Sequence, residues 1–378
     1  MRRLAASLVF LVLAGSLAAQ DTTDVERQDG PAPTWHLKLP GLGLGNIPRM
    51  SGIRLNWRDF YLEQINGINI TIWRPGDHVG GTINGLATGV LGPGADFLNG
   101  LAIGPLGVVA GKDVSGLGVG GLAVVTGRDT RGLMVAGLAT VAGGAVRGVS
   151  LSGLATVSGT DVRGIHVGGL AIVSGGDTRG LTIGGLATVS GKDIAGINLG
   201  GLAIVGGEGA SGINAGGLAM VTGKDATGFN FGGLAVVAGG DARGINLSGL
   251  ALVGGGDAQW VSVGGLAVVA GRSIRGLAVS AGGIESGDGI HGLAVTGYRI
   301  KTPDAHGIMI AVLHNRIIDL HGVGIAAYNR IRKDQFGVTI GLVNYAYRLH
   351  GIQLGLINIA GNNHGISHVL PIVNAHLN

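Results

Sequence analysis

The stretch that decides the fold is RGIHVGGLAIVSGGDT at residues 163–178. It recurs as RGLTIGGLATVSGKDI at 179–194 and as AGINLGGLAIVGGEGA at 195–210, a period of 16 residues. A strict period of this size is typical of one supersecondary unit stacked on copies of itself, because a single unit cannot bury its apolar side alone. The sequence therefore predicts a repeat architecture.

Each unit is marked by a glycine followed by an apolar residue, which we call the anchor glycine. Successive anchors are 15–18 residues apart at the start, 16 in the middle, and 15 then 14 toward the end. The anchors are Gly52, Gly67, Gly85, Gly100, Gly116, Gly132, Gly148, Gly164, Gly180, Gly196, Gly212, Gly228, Gly244, Gly276, Gly292, Gly307, Gly322, Gly337, Gly351 and Gly365. Trp260 occupies one further anchor position, so the pattern predicts 21 units.

The composition agrees with a repeated backbone geometry. Of 378 residues, 78 are glycine, 46% are hydrophobic and only 13% are charged, half the usual charged fraction of about a quarter. With only nine prolines and no glycine at every third position, the chain is not collagen. Its content of Val, Ile and Leu argues against disorder.

Within a unit, two short strands meet at a double glycine. Residues 197–199 alternate apolar, polar and apolar, which indicates a strand. Late units lose one residue at the double glycine, as in GIQLGLIN at 351–358, so we expect a corner there. The residues predicted to point inward are Ile197, Leu199, Leu202 and Ile204, and those predicted to point outward are Asn198, Ala203 and Val205.

These features predict an all-β repeat β-solenoid of about 21 coils of 14–18 residues, with two thin sheets. The alternative is an outer-membrane antiparallel β-barrel of about 20 strands, which the uncharged stretch 196–206 would suit. The turns favour the solenoid, because a barrel alternates short turns with long loops and here all turns are of one kind.

The chain begins with MRRLAASLVFLVLAGSLAAQ, which has the basic end, apolar run and small residues of a secretory signal peptide. We expect a signal peptide at 1–20, a linker and N-terminal cap at 21–50, a repeat domain at 51–364, and a last repeat with a C-terminal cap at 365–378. The absence of cysteine means that an exported protein of this kind is held together without disulfides.

Three stretches resemble bacterial exported surface-repeat proteins, an uncharacterised family. They are SGIRLNWRDFYLEQINGINITIW at 51–73, the Gly-apolar-x-apolar-Gly-Gly-Leu units, and the ending GIQLGLINIAGNN…LPIVN at 351–374. The resemblance covers residues 51–378 and implies the bacterial periplasm, outer membrane or cell surface as the location. It supplies no catalytic residues.

Equivalent positions of stacked coils form columns about 4.8 Å apart, so columns are the natural candidate sites. One polar column is His166, Thr182, Asn198, Asn214, Asn230, Asn246 and Ser262, either a binding strip or a solvated ladder of amides. The turns carry Asp129, Asp161, Asp177, Asp193, Asp225, Asp241 and Asp257, and Arg131, Arg163, Arg179 and Arg243 follow at a spacing of two. Each arginine would relieve the repulsion between neighbouring carboxylates.

A late column consists of histidines that directly precede anchor glycines. Its members are His291, His306, His321, His350 and His364, with Phe336 interrupting. Stacked imidazoles could hold a transition metal, could charge below about pH 6.5, or could simply stack as planar rings at a turn. The sequence alone shows no closed ligand set.

We expect no enzymatic activity and no cofactor. GxGxxG-like strings lack the strand–helix context of a dinucleotide site, and Glu208 and Glu285 stand alone rather than as paired acids. Without the signal peptide the net charge is about +2 (24 basic and 22 acidic residues), which gives no ground for a nucleic-acid partner. The sequence predicts a structural or adhesive element of a bacterial envelope, with self-association or lipid contact through outward apolar columns.

Overall fold

The computed structural model describes residues 36–73 and 79–377. The expected signal peptide at 1–20 and most of the expected linker lie outside the described residues. No helix within the described ranges has the length and apolar character needed to cross a membrane.

The described chain is all-β, as predicted, apart from one short 3-10 helix. The N-terminal strands are β1 (His36–Leu39), β2 (Leu42–Gly45), β3 (Arg49–Asn56), β4 (Gln64–Thr71), β5 (Thr82–Gly89), β6 (Gly94–Gly104) and β7 (Gly107–Gly120). The C-terminal elements are β30 (Arg299–Ala311), β31 (His314–Ile325), β32 (Tyr328–Ala360), the 3-10 helix Gly365–His368 and β33 (Val369–His376).

Between these ends, four-residue strands alternate with strands of seven or eight residues. The short strands are β8 (Ala123–Thr126), β10 (Ala139–Ala142), β12 (Ala155–Ser158), β14 (Ala171–Ser174), β16 (Ala187–Ser190), β18 (Ala203–Gly206), β20 (Ala219–Thr222), β22 (Ala235–Ala238), β24 (Ala251–Gly254), β26 (Ala267–Ala270) and β28 (Gly283–Ser286). The long strands are β9 (Thr130–Ala136), β11 (Val146–Ser152), β13 (Val162–Gly168), β15 (Thr178–Gly184), β17 (Ile194–Gly200), β19 (Ala210–Gly216), β21 (Ala226–Gly232), β23 (Ala242–Ser248), β25 (Ala258–Gly264), β27 (Ser273–Ser280) and β29 (Gly289–Thr296).

Successive coils pair in parallel, one repeat apart. The long strand β17 lies between β15 and β19, with Gly196 opposite Gly180 and Gly212. The short strand β18 lies between β16 and β20 in the same way. This is the β-solenoid predicted from the repeat, and the alternative with antiparallel neighbours is wrong.

The solenoid has about 18 turns rather than the predicted 21. The segment 57–63 that follows β3 contains no return strand. At the other end, Gly365 begins the 3-10 helix instead of anchoring a further coil, and β33 pairs antiparallel with the last part of β32. At about 4.8 Å per coil, 18 turns extend roughly 85 Å.

The expected corner at the double glycine is confirmed, because the chain bends at residues 201–202 between β17 and β18. A further bend lies at the anchor itself. Gly196 has a φ of 111° inside β17, a conformation open mainly to glycine. Ile194 before this bend and Asn198 after it are both fully buried, so three successive residues between them face away from the core.

The bend at the anchor reverses part of the predicted inside-outside pattern. Ile197, Leu199 and Leu202 point outward and are 44%, 38% and 45% exposed, and Asn198 points inward. Ile204 is buried as predicted. Ala203 and Val205 are half-buried and alternate with it, which agrees with their predicted outward direction.

The buried asparagines form a hydrogen-bonded ladder along the axis. The Nδ2 of Asn198 donates to Asn214 Oδ1 at 3.0 Å, Asn214 to Asn230 at 3.1 Å, and Asn230 to Asn246 at 2.9 Å. The predicted ladder of mutually bonded amides is present, but it is buried, so its predicted exposure to solvent is wrong. Stacking makes this possible, because the amides of Asn198, Asn214 and Asn230 each donate to the next coil and avoid the cost of an unpaired donor. The ladder ends at Asn246, whose Nδ2 has no hydrogen-bond partner among the described residues.

A second buried ladder replaces the first in the C-terminal coils and was not predicted. It is built by Asn315, Asn329, Asn344 and Asn358, whose side chains are joined by N–H···O bonds of 2.7–2.8 Å. Their positions are held by isoleucines such as Ile284 and Ile300 in the preceding coils. The core of the coil thus accepts either an aliphatic or an amide column.

A buried ion pair lies in the interior of the first coils. The Arg54 Nη1 donates to Asp59 Oδ1 at 2.6 Å, and both side chains are fully buried. Asn69 and Thr71 donate to the second carboxylate oxygen. Burial lowers the pKa of Arg54, and the carboxylate of Asp59 opposes that shift.

Candidate functional site

The exterior of the solenoid carries a continuous column of leucines at the corner between the two strands. The backbone N–H of each donates to the carbonyl of the leucine one coil earlier at 2.7–2.9 Å, and each side chain is 43–57% exposed. The column is Leu122, Leu138, Leu154, Leu170, Leu186, Leu202, Leu218, Leu234, Leu250 and Leu266.

Two further columns lie beside it on the long strands. One is at the position of Ile197 and includes Leu133, Ile165, Ile213, Phe229 and Ile245, and the other is at the position of Leu199 and includes Leu151 and Phe231. Burying a leucine is worth about 1.5–3 kcal/mol at ~25 cal/mol per Å², so ten half-exposed leucines present roughly 300–600 Å². With the other two columns, the apolar surface exceeds the largest patch of an ordinary monomer.

The turn charges pair as predicted. Arg163 donates to Asp161 at 2.7 Å and Arg179 to Asp177 at 2.8 Å. The other carboxylate oxygen of Asp161 accepts the backbone N–H of Asp177 in the next coil at 3.0 Å. In an equivalent turn, the backbone N–H of Ala145 is the main cause that holds the pKa of Asp129 below its usual value. These turns are structural links between coils.

Most of the predicted histidine column is present. His291 and His306 stack with ring centroids 5.0 Å apart, and His306 and His321 stack at 4.5 Å with an angle of 3° between their planes. Phe336 continues the stack at 5.0 Å from His321, and His350 follows at 4.7 Å.

His364 does not belong to this column. It precedes the 3-10 helix with an extended backbone and an exposed side chain. The ring next to His350 is that of His376, edge-on at 6.2 Å. The antiparallel return of β33 brings His376 there, since it pairs with Gly351.

One carboxylate joins the histidines. Asp304 Oδ2 lies 2.9 Å from His306 Nε2, and Asp304 Oδ1 lies 3.7 Å from His321 Nδ1. All three side chains are about 40% exposed. One ligand atom from each residue lies within 4.8 Å of the others, which is a spacing suited to a metal ion.

Sequence reasoning missed Asp304, although a signal was available. Asp304 precedes His306 by two residues, as Asp161 precedes Arg163. Extending the Asp-x-Arg rule of the turns to Asp-x-His would have placed the carboxylate beside the imidazole. The link from Asp304 to His321 follows from the stacking of neighbouring coils.

Comparison of the chain with protein-family models, with curated proteins and with solved structures found no match.

Proposed function

We propose that this protein is a non-enzymatic, exported structural element of a bacterial envelope that associates laterally with further copies of itself. The β-solenoid fold fits a structural repeat protein. The observation that carries the proposal is the leucine column, exposed without interruption over ten successive coils. Exposed apolar surface of this extent marks a contact surface in soluble proteins.

The energy available suits association along the length of the solenoid. Covering a half-exposed leucine contributes about 1 kcal/mol, so ten contribute about 10 kcal/mol. Association costs about 4–15 kcal/mol in lost freedom of motion, and the neighbouring columns add further apolar area. Contact over a few coils would be weak, and contact over the whole column would be stable.

A second copy is the partner whose spacing fits best. Its leucines repeat at the same ~4.8 Å interval, so the side chains of two columns can interdigitate along their entire length. A globular partner offers no such period. Lipid contact is the other occupant that the apolar columns would suit, and the experiment below distinguishes the two.

The export and envelope parts of the proposal rest on the signal-like segment 1–20 and on the resemblance to exported surface-repeat proteins. The non-enzymatic part is supported by the ion pairs that Glu208 and Glu285 form. Glu208 is paired with Lys224, and Glu285 with Lys301. Acids held in ion pairs on the surface are poorly placed for acid-base catalysis.

The test is sedimentation velocity of the chain without residues 1–20, over a range of concentrations. We expect the wild type to associate, and the triple variant L186S/L202S/L218S to sediment as a monomer. The control K192S/E208S/K224S changes three exposed turn residues of the same coils and should associate like the wild type. A wild-type monomer at all concentrations would overturn self-association, and binding of that monomer to phospholipid vesicles would assign the columns to lipid.

Localisation is tested separately by fractionating cells that express the full chain with a C-terminal tag. We expect cleavage near Ala19 and recovery with the envelope. Recovery of the uncleaved chain in the cytoplasm would overturn export.

A further inference from the structure

We propose that Asp304, His306 and His321 form a binding site for a divalent transition metal of the zinc class. The three side chains come from two neighbouring coils that pair in parallel, with His306 opposite His321. One ligand atom of each residue lies within 4.8 Å of the others at the surface, and each residue is of a type that binds zinc.

The strongest argument is that Asp304 departs from the hydrogen bonding that most turn carboxylates share, although Asp334 Oδ1 is also shielded and unpartnered among the described residues. In most turns, one carboxylate oxygen accepts the backbone N–H of the next coil, as Asp241 accepts that of Asp257 at 2.7 Å. Asp304 Oδ1 is shielded from solvent and has no hydrogen-bond partner among the described residues. The same is true of His321 Nδ1, the atom that faces it.

These two unpartnered atoms define the gap that an ion would fill. They are 3.7 Å apart, and zinc binds oxygen and nitrogen at about 2.0–2.2 Å, so one ion between them reaches both. A shielded polar atom without a hydrogen-bond partner is unfavourable, and an ion bound to both atoms would remove that penalty.

The donor set selects the kind of metal. Two imidazole nitrogens and one carboxylate oxygen suit zinc, nickel or copper, whereas calcium and magnesium prefer oxygen ligands alone. Three protein ligands on a partly exposed surface leave a fourth position for water.

The stacking of the rings gives the proposal a specific consequence. The planes of His306 and His321 are within 3° of parallel, so their in-plane lone pairs do not converge. Metal binding must therefore tilt at least one ring out of the stack between His291 and Phe336. If Asp304 and His321 instead shared only a proton and no metal, the histidine rings would stay stacked.

The experiment is calorimetric titration of zinc chloride into the chain without residues 1–20, at about pH 7.5, where ordinary histidines with a pKa of ~6.5 are neutral. We expect one ion per chain. The isosteric variant D304N should weaken binding by more than the ~10–100-fold that loss of an outer hydrogen-bond partner costs.

The matched control is D319N, one coil later. Asp319 also precedes a histidine by two residues, but its Oδ1 accepts the backbone N–H of Asp334 and its Oδ2 faces Lys333. D319N should bind like the wild type. If D304N fails to fold, H321Q supplies the same test. Ring NMR signals of His306 and His321 should shift together on binding.

Absence of binding heat in the wild type would overturn the site, as would equal losses in D304N and D319N. A stoichiometry near the number of histidines would also overturn it, because it would indicate unspecific binding to single imidazoles.

Discussion

Replacing Gly212 by alanine should disturb the register of the stack at an anchor position, where the main chains of neighbouring coils are in close contact. Gly212 has a φ of 95°, and a Cβ there would lie 2.3 Å from the carbonyl oxygen of Gly196 in the preceding coil. The backbone conformation costs an alanine about 1–2 kcal/mol. The clash is with main chain, so no rotamer relieves it, and forced packing of this kind costs about 1–3 kcal/mol. We expect a loss of about 2–5 kcal/mol.

The matched control is Gly254→Ala. A Cβ at Gly254 meets its nearest atoms at 3.8 Å, and the residues aligned with it in the adjacent coils, Ala238 and Ala270, are already alanines. G254A should be neutral or more stable by about 0.4–1 kcal/mol, since alanine restricts the unfolded chain. Urea unfolding, followed by the far-ultraviolet circular dichroism signal of β-structure, measures the stability of both variants. If G212A and G254A unfold at the same urea concentration, the argument from anchor geometry is wrong.

Three further predictions concern single residues. Asp59→Asn leaves the Arg54 guanidinium buried without a counter-charge and should lower the free energy of unfolding by about 3–5 kcal/mol, measured by thermal unfolding. Glu208→Gln removes an ion pair on an exposed turn and should have little effect. Equal effects of the two substitutions would contradict the role of burial. Burial lowers the pKa of His166, so below about pH 6.5 the unfolded chain binds a proton that the folded chain resists, and stability falls with acid. His166→Asn should remove that part of the pH dependence, and an unchanged profile of Tm against pH would refute it. Trp260 has a φ of 80°, so Trp260→Gly should be more stable than Trp260→Ala by about 1 kcal/mol, and the reverse order would exclude backbone strain there.

The architecture was predictable because the length of the repeat determines which residues of neighbouring coils pair. The constant spacing of 16 residues sets the parallel register of β15, β17 and β19, and the double glycine marks a true corner. The number of turns was overestimated because a glycine before an apolar residue also occurs at Gly365, where the chain has already left the stack.

The direction of the side chains was less predictable. Alternation assigns Ile197 and Leu199 to the core only if the strand is continuous, and the bend at Gly196 shifts the phase. The usual rule that amides avoid the core also fails in this fold. A buried Asn198 is unfavourable alone and is satisfied once Asn214 stands next to it, so only the stacked structure shows that it belongs inside.

The candidate metal site was half predicted. The histidine column follows from the residues before the anchor glycines, and it holds from His291 to His350. The spacing of two residues could have placed Asp304 beside His306, but the unpartnered Oδ1 that faces His321 is a local exception in hydrogen bonding, which the sequence does not reveal. His376 replaces His364 because the last strand reverses direction, an event with no counterpart in the repeat.

The reversal of direction at the end of the stack also limits how the protein can polymerise. A parallel solenoid with bare ends could add coils from another chain without limit, as amyloid does. Here β33 closes one end, with Pro371 lacking an N–H and Ile372 at a φ of 68° distorting the edge. At the other end the short strand β1, with the exposed Lys38, lies antiparallel on β2. Assembly through the leucine columns would then proceed only sideways, giving sheets whose thickness is the length of one molecule.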